Sequence, residues 1–441
     1  MPQDLPRRLG LADSVAIVIG IIIGGGIFLV PNLVAQSLGS VPLILAVWVF
    51  AGVVTFFGAL ACAELGAAWP ATGGQYVYLR DAYGPIGGFL CGWSSFTVAR
   101  SAQVAWLAVV FALYFGYFVP LGPWAAKALG MAVIGFFAWV NYRGAHAGAV
   151  VQKLFTTAKV AGVLLIVGSA FLAPAHAAAA PAASTPFTMS SFGVALIACL
   201  LAYDGWVQLT FVAGEIRNPQ QNVMRALALG TLAVIAIYLL ANLAYLRVLS
   251  IPEIAASDHV GAAAAERALG AMGGRLVSAI ILISILGTLN GCFLTTPRVY
   301  FAQAADGLFF RRFAEVHPRY QTPAFAIVAQ AVWSIVLVLT GSYESLIDYA
   351  LFAMWLSYGA MVGAVLVLRR TRPDAPRPYR MWGYPATPLL FLAVTVWFLG
   401  NMLITKPGPS LASLGLMATG LPAWLIWKGR PSAKVAAPTQ S

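Results

Sequence analysis

The chain has 441 residues, of which 61% are hydrophobic and only 9% are charged. An ordinary soluble domain has about 25% charged residues, so this composition excludes a water-soluble fold. The apolar stretches continue for about 20 residues without strict alternation, which is typical of membrane-spanning helices and excludes a β-barrel. The net charge of +12 is spread over many segments rather than clustered on one face, so nucleic-acid binding is excluded as well.

Twelve separable apolar stretches predict an all-α polytopic membrane protein with twelve transmembrane helices. Several stretches exceed the length of a minimal span, which permits tilted or broken helices. The predicted spans are 12–38, 42–69, 86–119, 123–140, 154–173, 190–214, 226–248, 274–302, 324–341, 345–368, 385–405 and 410–427. All four cysteines fall inside spans, so no disulfide framework is expected; they are Cys62, Cys91, Cys199 and Cys292.

The distribution of Lys and Arg predicts the orientation. With a cytoplasmic N-terminus, 19 of the 26 basic residues fall on the cytoplasmic side and five on the outer side, counting those at the ends of spans. The remaining two, Arg100 and Lys159, lie deeper within spans. Loops rich in Lys and Arg stay on the cytoplasmic side. Both termini are therefore predicted to be cytoplasmic, with the protein in the inner (plasma) membrane of the cell.

The first span contains three consecutive glycines, Gly24, Gly25 and Gly26. Such a run disfavours helix, and a break at membrane depth has to line a protein or water cavity. Amides freed at the break form a natural seat for a carboxylate. The alternative is that Gly20 and Gly24 form a face for close helix packing, and composition alone leaves both interpretations open.

The sixth span carries an acid and a glycine, Asp204 and Gly205, within an otherwise apolar stretch. An Asp at the centre of a span costs about 2.5 to 3.5 kcal/mol on insertion scales, so such residues usually face a cavity, a partner or a pathway. This favours a functional interpretation over a structural polar contact inside the bundle.

The two interrupted spans are predicted to run antiparallel, because five crossings separate them. This is the arrangement of a five-plus-five inverted repeat, which places the substrate site between broken helices. We expect one transporter domain, with helices 1–5 of the first repeat in 12–173, helices 6–10 of the second repeat in 190–368, and helices 11 and 12 in 385–427.

Three further charged residues lie within predicted spans. Lys159 could extend its ammonium to the membrane surface, or fill a cavity between helices 1, 5 and 8 as a fixed cation in place of sodium. Arg100 lies deeper and needs partners. Glu64, near the inner end of the second span, is expected to reach the cytoplasmic surface, and we interpret Arg100 and Glu64 as structural or gating residues.

The sequence contains no recognisable motif for binding a cofactor or a metal ion. No zinc motif, P-loop or dinucleotide fingerprint occurs, so no cofactor, no metal site and no enzymatic activity are expected. All four histidines fall in predicted loops, namely His146, His176, His259 and His317. Without an ATP-binding domain, transport is expected to be driven by a gradient or by exchange.

Seven short motifs, in this order and spacing, resemble those of the L-type amino acid transporters of the amino acid, polyamine and organocation (APC) superfamily. They are Ile-Ile-Gly-Gly-Gly-Ile-Phe (22–28), Ala-Glu-Leu-Gly (63–66), Gly-Gly-Gln-Tyr-Val-Tyr (73–78), Ala-Tyr-Asp-Gly-Trp (202–206), Gly-Glu-Ile-Arg-Asn-Pro (214–219), Leu-Asn-Gly (289–291) and Arg-Pro-Asp-Ala-Pro-Arg-Pro-Tyr (372–379). The resemblance implies sodium-independent transport of neutral L-amino acids by alternating access, commonly as obligatory exchange.

The resemblance also implies roles for individual residues. The amides of Gly24, Gly25 and Gly26 are expected to hold the substrate carboxylate, and Lys159 matches the lysine that replaces sodium. Trp206 is expected to act as a gate beside the substrate, next to Asp204 and Gly205. The backbone carbonyls expected to take the α-ammonium are those near Ile22, Ile23, Ala202 and Tyr203.

The sequence departs from the family pattern at three places. Gly25 replaces a common Ser, so the carboxylate has backbone amides alone. Asp204 stands where many relatives carry a small residue, which leaves open either a cationic substrate or a titrating role. The alternative function is a proton-coupled amino acid symporter. The loop 120–123 lacks the cysteine that joins animal members to an ancillary glycoprotein, so we expect a transporter without a disulfide-linked subunit.

Overall fold

The computed structural model describes residues 5–175, 187–257, 259–341 and 343–428, and every regular element in these ranges is helical. The first half contains α1 (Leu11–Ile22), α2 (Gly26–Ser37), α3 (Val41–Ala68), α4 (Gln75–Ser94), a π-helical segment (Ser95–Ala99), α5 (Arg100–Phe115), α6 (Pro123–Tyr142) and α7 (Ala145–Leu172).

The second half is also helical throughout its described ranges. It contains α8 (Met189–Ala202), a 3-10 segment (Trp206–Glu215), α9 (Pro219–Val248), α10 (Ile251–Ala256), α11 (Val260–Leu269), α12 (Ala271–Thr295), α13 (Pro297–Ala305), a short 3-10 segment (Arg311–Ala314), α14 (Ala324–Thr340), α15 (Tyr343–Thr371), α16 (Ala386–Thr405), α17 (Pro407–Ala418) and α18 (Gly420–Trp427).

Each predicted span coincides with one helix or with consecutive helical segments, but the count of twelve is not reproduced. Ten helices or continuous helical segments in the described ranges are long and apolar enough to cross a membrane, and the bent pair α1 and α2 brings the number to eleven. The ninth predicted span is α14, which has only 17 residues. The prediction of a polytopic helical membrane protein is confirmed, whereas the count of twelve is not: ten or eleven spans in the described residues have this length and composition.

The third span begins eleven residues before its predicted start at 86, because α4 starts at Gln75. Gly84 interrupts the helical backbone with φ +81°, and the helix continues through Pro85 after this kink. Gly and Pro in sequence usually mark the end of a helix. Here the chain bends at that point and stays helical until Phe115, short of the predicted end at 119.

The broken helices lie inside the bundle, whereas α6 and α16 lie at its edge. α1 packs against α7, α9 and α12, and α2 packs against α8. By contrast, α6 and α16 expose large apolar side chains, such as Trp139 and Val396. Such apolar faces suit a hydrocarbon environment, as expected for helices of this length and composition.

Glu64 does not reach the surface, and that expectation is wrong. Its side chain is 1% exposed and its Oε2 lies 2.6 Å from Arg369 Nη2. The backbone N–H of Met381 donates to the same oxygen at 2.8 Å, and Arg377 Nε lies 3.6 Å from Oε1. The segment that follows α15 therefore folds over the end of α3 and covers the carboxylate.

The four cysteines and His146 lie within helices. All four cysteines are buried and carry free thiols. His146 is the second residue of α7 rather than a loop residue, and His176 lies outside the described residues.

Candidate functional site

The two broken spans touch each other at their breaks. A Cβ atom added to Gly26 would lie 2.9 Å from the Cα of Ala202, and one added to Gly205 would lie 2.6 Å from Ile21 Cγ2. Carbon atoms of real side chains do not approach that closely, so each break needs a glycine where it meets the other. The predicted breaks in spans 1 and 6 are confirmed.

The first break consists of three residues between α1 and α2, which meet at an angle of 41°. Ile23 leaves the helical conformation with ψ 85°, and the amide of Gly24 donates to the Ile22 carbonyl at 2.8 Å. Helix α2 then starts at Gly26. The first amides of a helix have no partner within that helix, so this end of α2 presents donors and a partial positive charge.

The second break follows Ala202, where α8 ends. Gly205 adopts φ +125°, a conformation that favours glycine. The chain continues as a ten-residue 3-10 segment, Trp206–Glu215, which is longer than the short pieces in which 3-10 helix usually occurs. The C-terminal end of α8 presents carbonyl acceptors beside the donors of α2.

A cavity lies at the meeting point of the two breaks, with a free volume of about 110 Å³. About 10 to 15 Å³ on the same measure holds one water, so this space admits a ligand of several non-hydrogen atoms. The rest of the wall is mostly apolar and comes from α2, α5, α12 and α15, including Trp106, Ile285 and Leu351. An apolar cavity with a few convergent polar groups is typical of a small-molecule site.

Tyr238 on α9 joins the two breaks. Its hydroxyl lies 3.0 Å from the carbonyl oxygen of Ile22 and 3.1 Å from that of Ala202. The ring packs against Tyr203 and Trp48, with ring centroids 4.9 Å and 5.7 Å away. Tyr238 therefore holds the ends of α1 and α8 at a fixed separation.

Lys159 does not extend to the membrane surface, because its side chain is fully buried. Its Nζ donates to three backbone carbonyl oxygens, those of Gly20 (2.8 Å), Ile23 (2.7 Å) and Ser284 (2.8 Å), and lies 3.5 Å from Thr288 Oγ1. These oxygens belong to spans 1 and 8, and all of them are neutral. The ammonium thus occupies a cluster of oxygen atoms of the kind that binds a sodium ion in transporters with broken helices.

Asp204 lies on the cavity wall and is the acidic residue there. Its Oδ1 accepts a hydrogen bond from the Tyr358 hydroxyl at 2.5 Å, and its Oδ2 accepts one from Gln103 Nε2 at 3.0 Å. Both oxygens therefore accept hydrogen bonds, as those of an ionised carboxylate do. The cavity wall carries one acidic side chain, and neutral partners orient both of its oxygens.

Six of the predicted site residues line the cavity: Ile22, Gly24, Gly25, Gly26, Ala202 and Asp204. Trp206 does not line it; its ring packs on Tyr358 and Phe391, with centroids 5.2 Å and 5.9 Å away. Three other backbone positions, Ile23, Tyr203 and Gly205, lie behind the wall. The roles of all these residues stay predictions.

Several residues of this region were not predicted as site residues. Gln103 and Thr288 line the cavity, and Tyr238, Ser284 and Tyr358 lie behind it. A signal exists for part of this set, because Ser284 and Thr288 are one helical turn apart in an apolar span. Nothing in the sequence around Tyr238 distinguishes it from other aromatic residues of the chain.

Comparisons with known proteins agree with this architecture. A family model described as amino acid permease matches residues 9–422. The chain is 33% identical over 432 residues to the serine/threonine exchanger SteT of Bacillus subtilis (strain 168), which covers 97% of this chain and 98% of that protein.

Two mammalian relatives match at similar levels. The chain is 31% identical over 413 residues to b(0,+)-type amino acid transporter 1 of Homo sapiens, covering 92% of this chain and 84% of that protein. It is 32% identical over 450 residues to large neutral amino acids transporter small subunit 2 of Rattus norvegicus, covering 97% and 82%. With a match that extends from the residues before α1 into α18, the chain belongs to the amino acid permease family.

Proposed function

We propose that this protein is a sodium-independent transporter that exchanges neutral L-amino acids by alternating access. The observation that carries the proposal is the contact between the two breaks, where Gly26 lies against Ala202 beside a cavity. Helix ends of opposite polarity that meet at one wall provide donors for a carboxylate and acceptors for an ammonium group. An α-amino acid carries both groups on one carbon atom.

The substrate carboxylate binds at the amides of Gly24, Gly25 and Gly26. In the structure the Gly24 amide donates to the Ile22 carbonyl at 2.8 Å. A bound zwitterion replaces this internal bond, because its carboxylate accepts from the Gly24 amide and its ammonium donates to the Ile22 carbonyl. The internal bond thus keeps both backbone groups satisfied while the site is empty.

The α-ammonium also binds the Ala202 carbonyl, which accepts from Tyr238 at 3.1 Å and keeps a second lone pair. Ile23 is not part of this proposal, because its carbonyl oxygen already accepts from Lys159 at 2.7 Å and from Ser284 Oγ at 2.9 Å. Tyr203 is left out because it does not line the cavity.

Lys159 acts as a permanent cation that replaces sodium between spans 1, 5 and 8. Its three carbonyl partners and the fully buried ammonium support this role. Because the cation is covalently attached to α7, it cannot be carried across the membrane with the substrate. Exchange of one amino acid for another needs no ion gradient.

The names of the relatives support the same mode of transport. One is a serine/threonine exchanger, and another is a transporter of large neutral amino acids. We propose that this chain works without a disulfide-linked subunit, because the loop 120–123 contains no cysteine. Its other partners are membrane lipids at the exposed apolar faces of α6 and α16.

We further propose the five-plus-five inverted repeat (12–173 and 190–368, followed by 385–427) and cytoplasmic termini in the inner membrane. Support comes from the breaks in spans 1 and 6, which the count of crossings predicts to run antiparallel, and from the distribution of basic residues. A green fluorescent protein fused after Ser441 is expected to fluoresce, while alkaline phosphatase fused there is expected to be inactive. The opposite pair of results contradicts the orientation.

Thermal unfolding in detergent tests the substrate class. A ligand of the folded state raises the Tm by mass action, so L-alanine, L-serine or L-leucine is expected to raise it in sodium-free buffer. Alanine methyl ester and N-acetylalanine serve as controls, since each lacks one of the two charged groups. A Tm rise that requires sodium, or that the controls reproduce, contradicts the proposal.

A further inference from the structure

Arg100 is buried behind the cavity and does not line it. Its side chain is 2% exposed, and it starts α5 directly after the π-helical segment Ser95–Ala99. A π-helical turn inserts an extra residue into a helix, changes the direction of the side chains that follow, and often occurs at functional sites. A guanidinium stays charged in a protein, so at this depth it needs compensation.

Two parallel bridges connect Arg100 to Asp204. Arg100 Nη2 donates to the Tyr358 hydroxyl at 3.1 Å, and this hydroxyl donates to Asp204 Oδ1 at 2.5 Å. Arg100 Nη1 donates to Gln103 Oε1 at 3.2 Å, and Gln103 Nε2 donates to Asp204 Oδ2 at 3.0 Å. Each terminal nitrogen of the guanidinium therefore reaches one carboxylate oxygen through one neutral side chain.

The remaining contacts of Arg100 are also neutral. Nη1 lies 3.1 Å from Met354 Sδ, and the guanidinium carbon lies 5.4 Å from the centre of the Phe211 ring. Asp204 is thus the negative group to which the hydrogen bonds of Arg100 lead. Two opposite charges separated by one side chain interact strongly in a medium of low dielectric constant. Arg100 and Asp204 together therefore present little net charge to the cavity.

We propose that Arg100 is a specificity-determining residue that acts through Asp204 and restricts the cavity to substrates without a positively charged side chain. With the carboxylate neutralised from behind, Asp204 accepts a hydrogen bond from a neutral substrate but offers little attraction to an extra cation. Removing the guanidinium leaves an uncompensated carboxylate on the wall, which favours a cationic side chain. This inference deepens the proposed function and rests on it.

The test measures how strongly unlabelled lysine and unlabelled alanine inhibit the exchange of labelled alanine in proteoliposomes. In the wild-type protein, lysine is expected to inhibit at least tenfold more weakly than alanine. In Arg100→Gln, the inhibition constant of lysine divided by that of alanine is expected to fall at least tenfold. Adding Asp204→Asn to this variant is expected to raise the ratio again, toward the wild-type value.

Arg298→Gln is the matched control, because Arg298 is also a fully buried arginine but pairs with Glu215 at 2.7 Å. It is expected to lower stability without changing the ratio. If Arg100→Gln does not fold, Tyr358→Phe removes one bridge and keeps both charges, and it is expected to shift the ratio in the same direction by a smaller factor.

An unchanged ratio in Arg100→Gln, or in Tyr358→Phe where that variant replaces it, overturns the inference. So does a wild-type protein that accepts lysine as readily as alanine, or a shift that Asp204→Asn does not reverse. Absence of alanine exchange in the wild-type protein overturns the proposed function instead.

Discussion

Gly26 at the start of α2 lies against the backbone of Ala202 at the end of α8, so closely that a methyl group on Gly26 would come within 2.9 Å of the Ala202 Cα. The first residue of one helix and the last residue of another therefore share one wall of the cavity. Opposite partial charges meet there, because a helix start is positive and a helix end is negative. This contact joins the two broken spans and is the basis of the proposed substrate site.

Gly26→Ala is expected to reduce uptake to less than a tenth of the wild-type value. The added methyl group forces α2 and α8 apart, because it meets backbone atoms rather than the flexible end of a side chain. Gly168→Ala is the control, since a Cβ at Gly168 meets nothing within 4 Å. Uptake by folded protein in proteoliposomes is the measurement, and near-normal uptake by Gly26→Ala contradicts the site.

Tyr238→Phe is expected to raise the KM of uptake several-fold. It removes the single O–H donor that the carbonyls of Ile22 and Ala202 share, and a hydrogen bond of this kind contributes about 0.5–1.5 kcal/mol. Tyr245→Phe on the same helix is the control, because the Tyr245 hydroxyl does not form a hydrogen bond with the carbonyl of Ile22 or of Ala202. Equal KM values for the two variants show that the bridge between the breaks is unimportant.

Lys159→Met is expected to lower the Tm strongly and to abolish uptake. Three buried hydrogen bonds from a charged donor are lost, and each such bond contributes about 1.5–3 kcal/mol. Lys127→Met is the control, because Lys127 bonds a single carbonyl at the protein surface. A wild-type Tm and wild-type uptake in Lys159→Met contradict the assigned role.

Lys159→Ala separates the role of a cation from that of packing. It leaves space among the same oxygens, so sodium ions are expected to raise the Tm of this variant while the Tm of the wild-type protein stays constant. Titration of both proteins with sodium chloride against choline chloride makes the comparison. No response of the variant to sodium argues against a sodium-like position for the ammonium.

Glu64→Gln is expected to lower the Tm by several degrees. The buried carboxylate binds Arg369 and the Met381 amide, and breaking a buried ion pair costs about 3–5 kcal/mol. Glu253→Gln is the matched control, because its pair with Arg267 is exposed and such pairs contribute about 0–1 kcal/mol. Similar Tm changes in the two variants contradict this account of the covered end of α3.

Features that depend on local sequence were predictable. Apolar length located the helices, because a hydrocarbon solvent tolerates few charges. The breaks were predictable because Gly24, Gly25 and Gly26 disfavour helix, and because Asp204 next to Gly205 is costly in a continuous span. The kink at Gly84 misled the assignment, since a glycine before a proline indicates a helix end in the absence of packing.

Features that depend on distant partners were not predictable. Glu64 and Arg369 meet across 305 positions of the chain, so the burial of that acid cannot be derived from its place near a helix end. Tyr238 acts through its distance to two helix ends that the sequence does not bring together. The surroundings of Asp204 likewise require the register of α5 and α15, which the π-helical segment and tertiary packing determine.

Uptake of labelled alanine into proteoliposomes distinguishes exchange from ion-coupled symport. The vesicles are loaded with alanine or left without amino acid, and a pH gradient or a sodium gradient is imposed on each. Uptake is predicted only into loaded vesicles, at the same rate with and without either gradient. Uptake into vesicles without internal amino acid, driven by the pH gradient, would contradict exchange and establish proton-coupled symport.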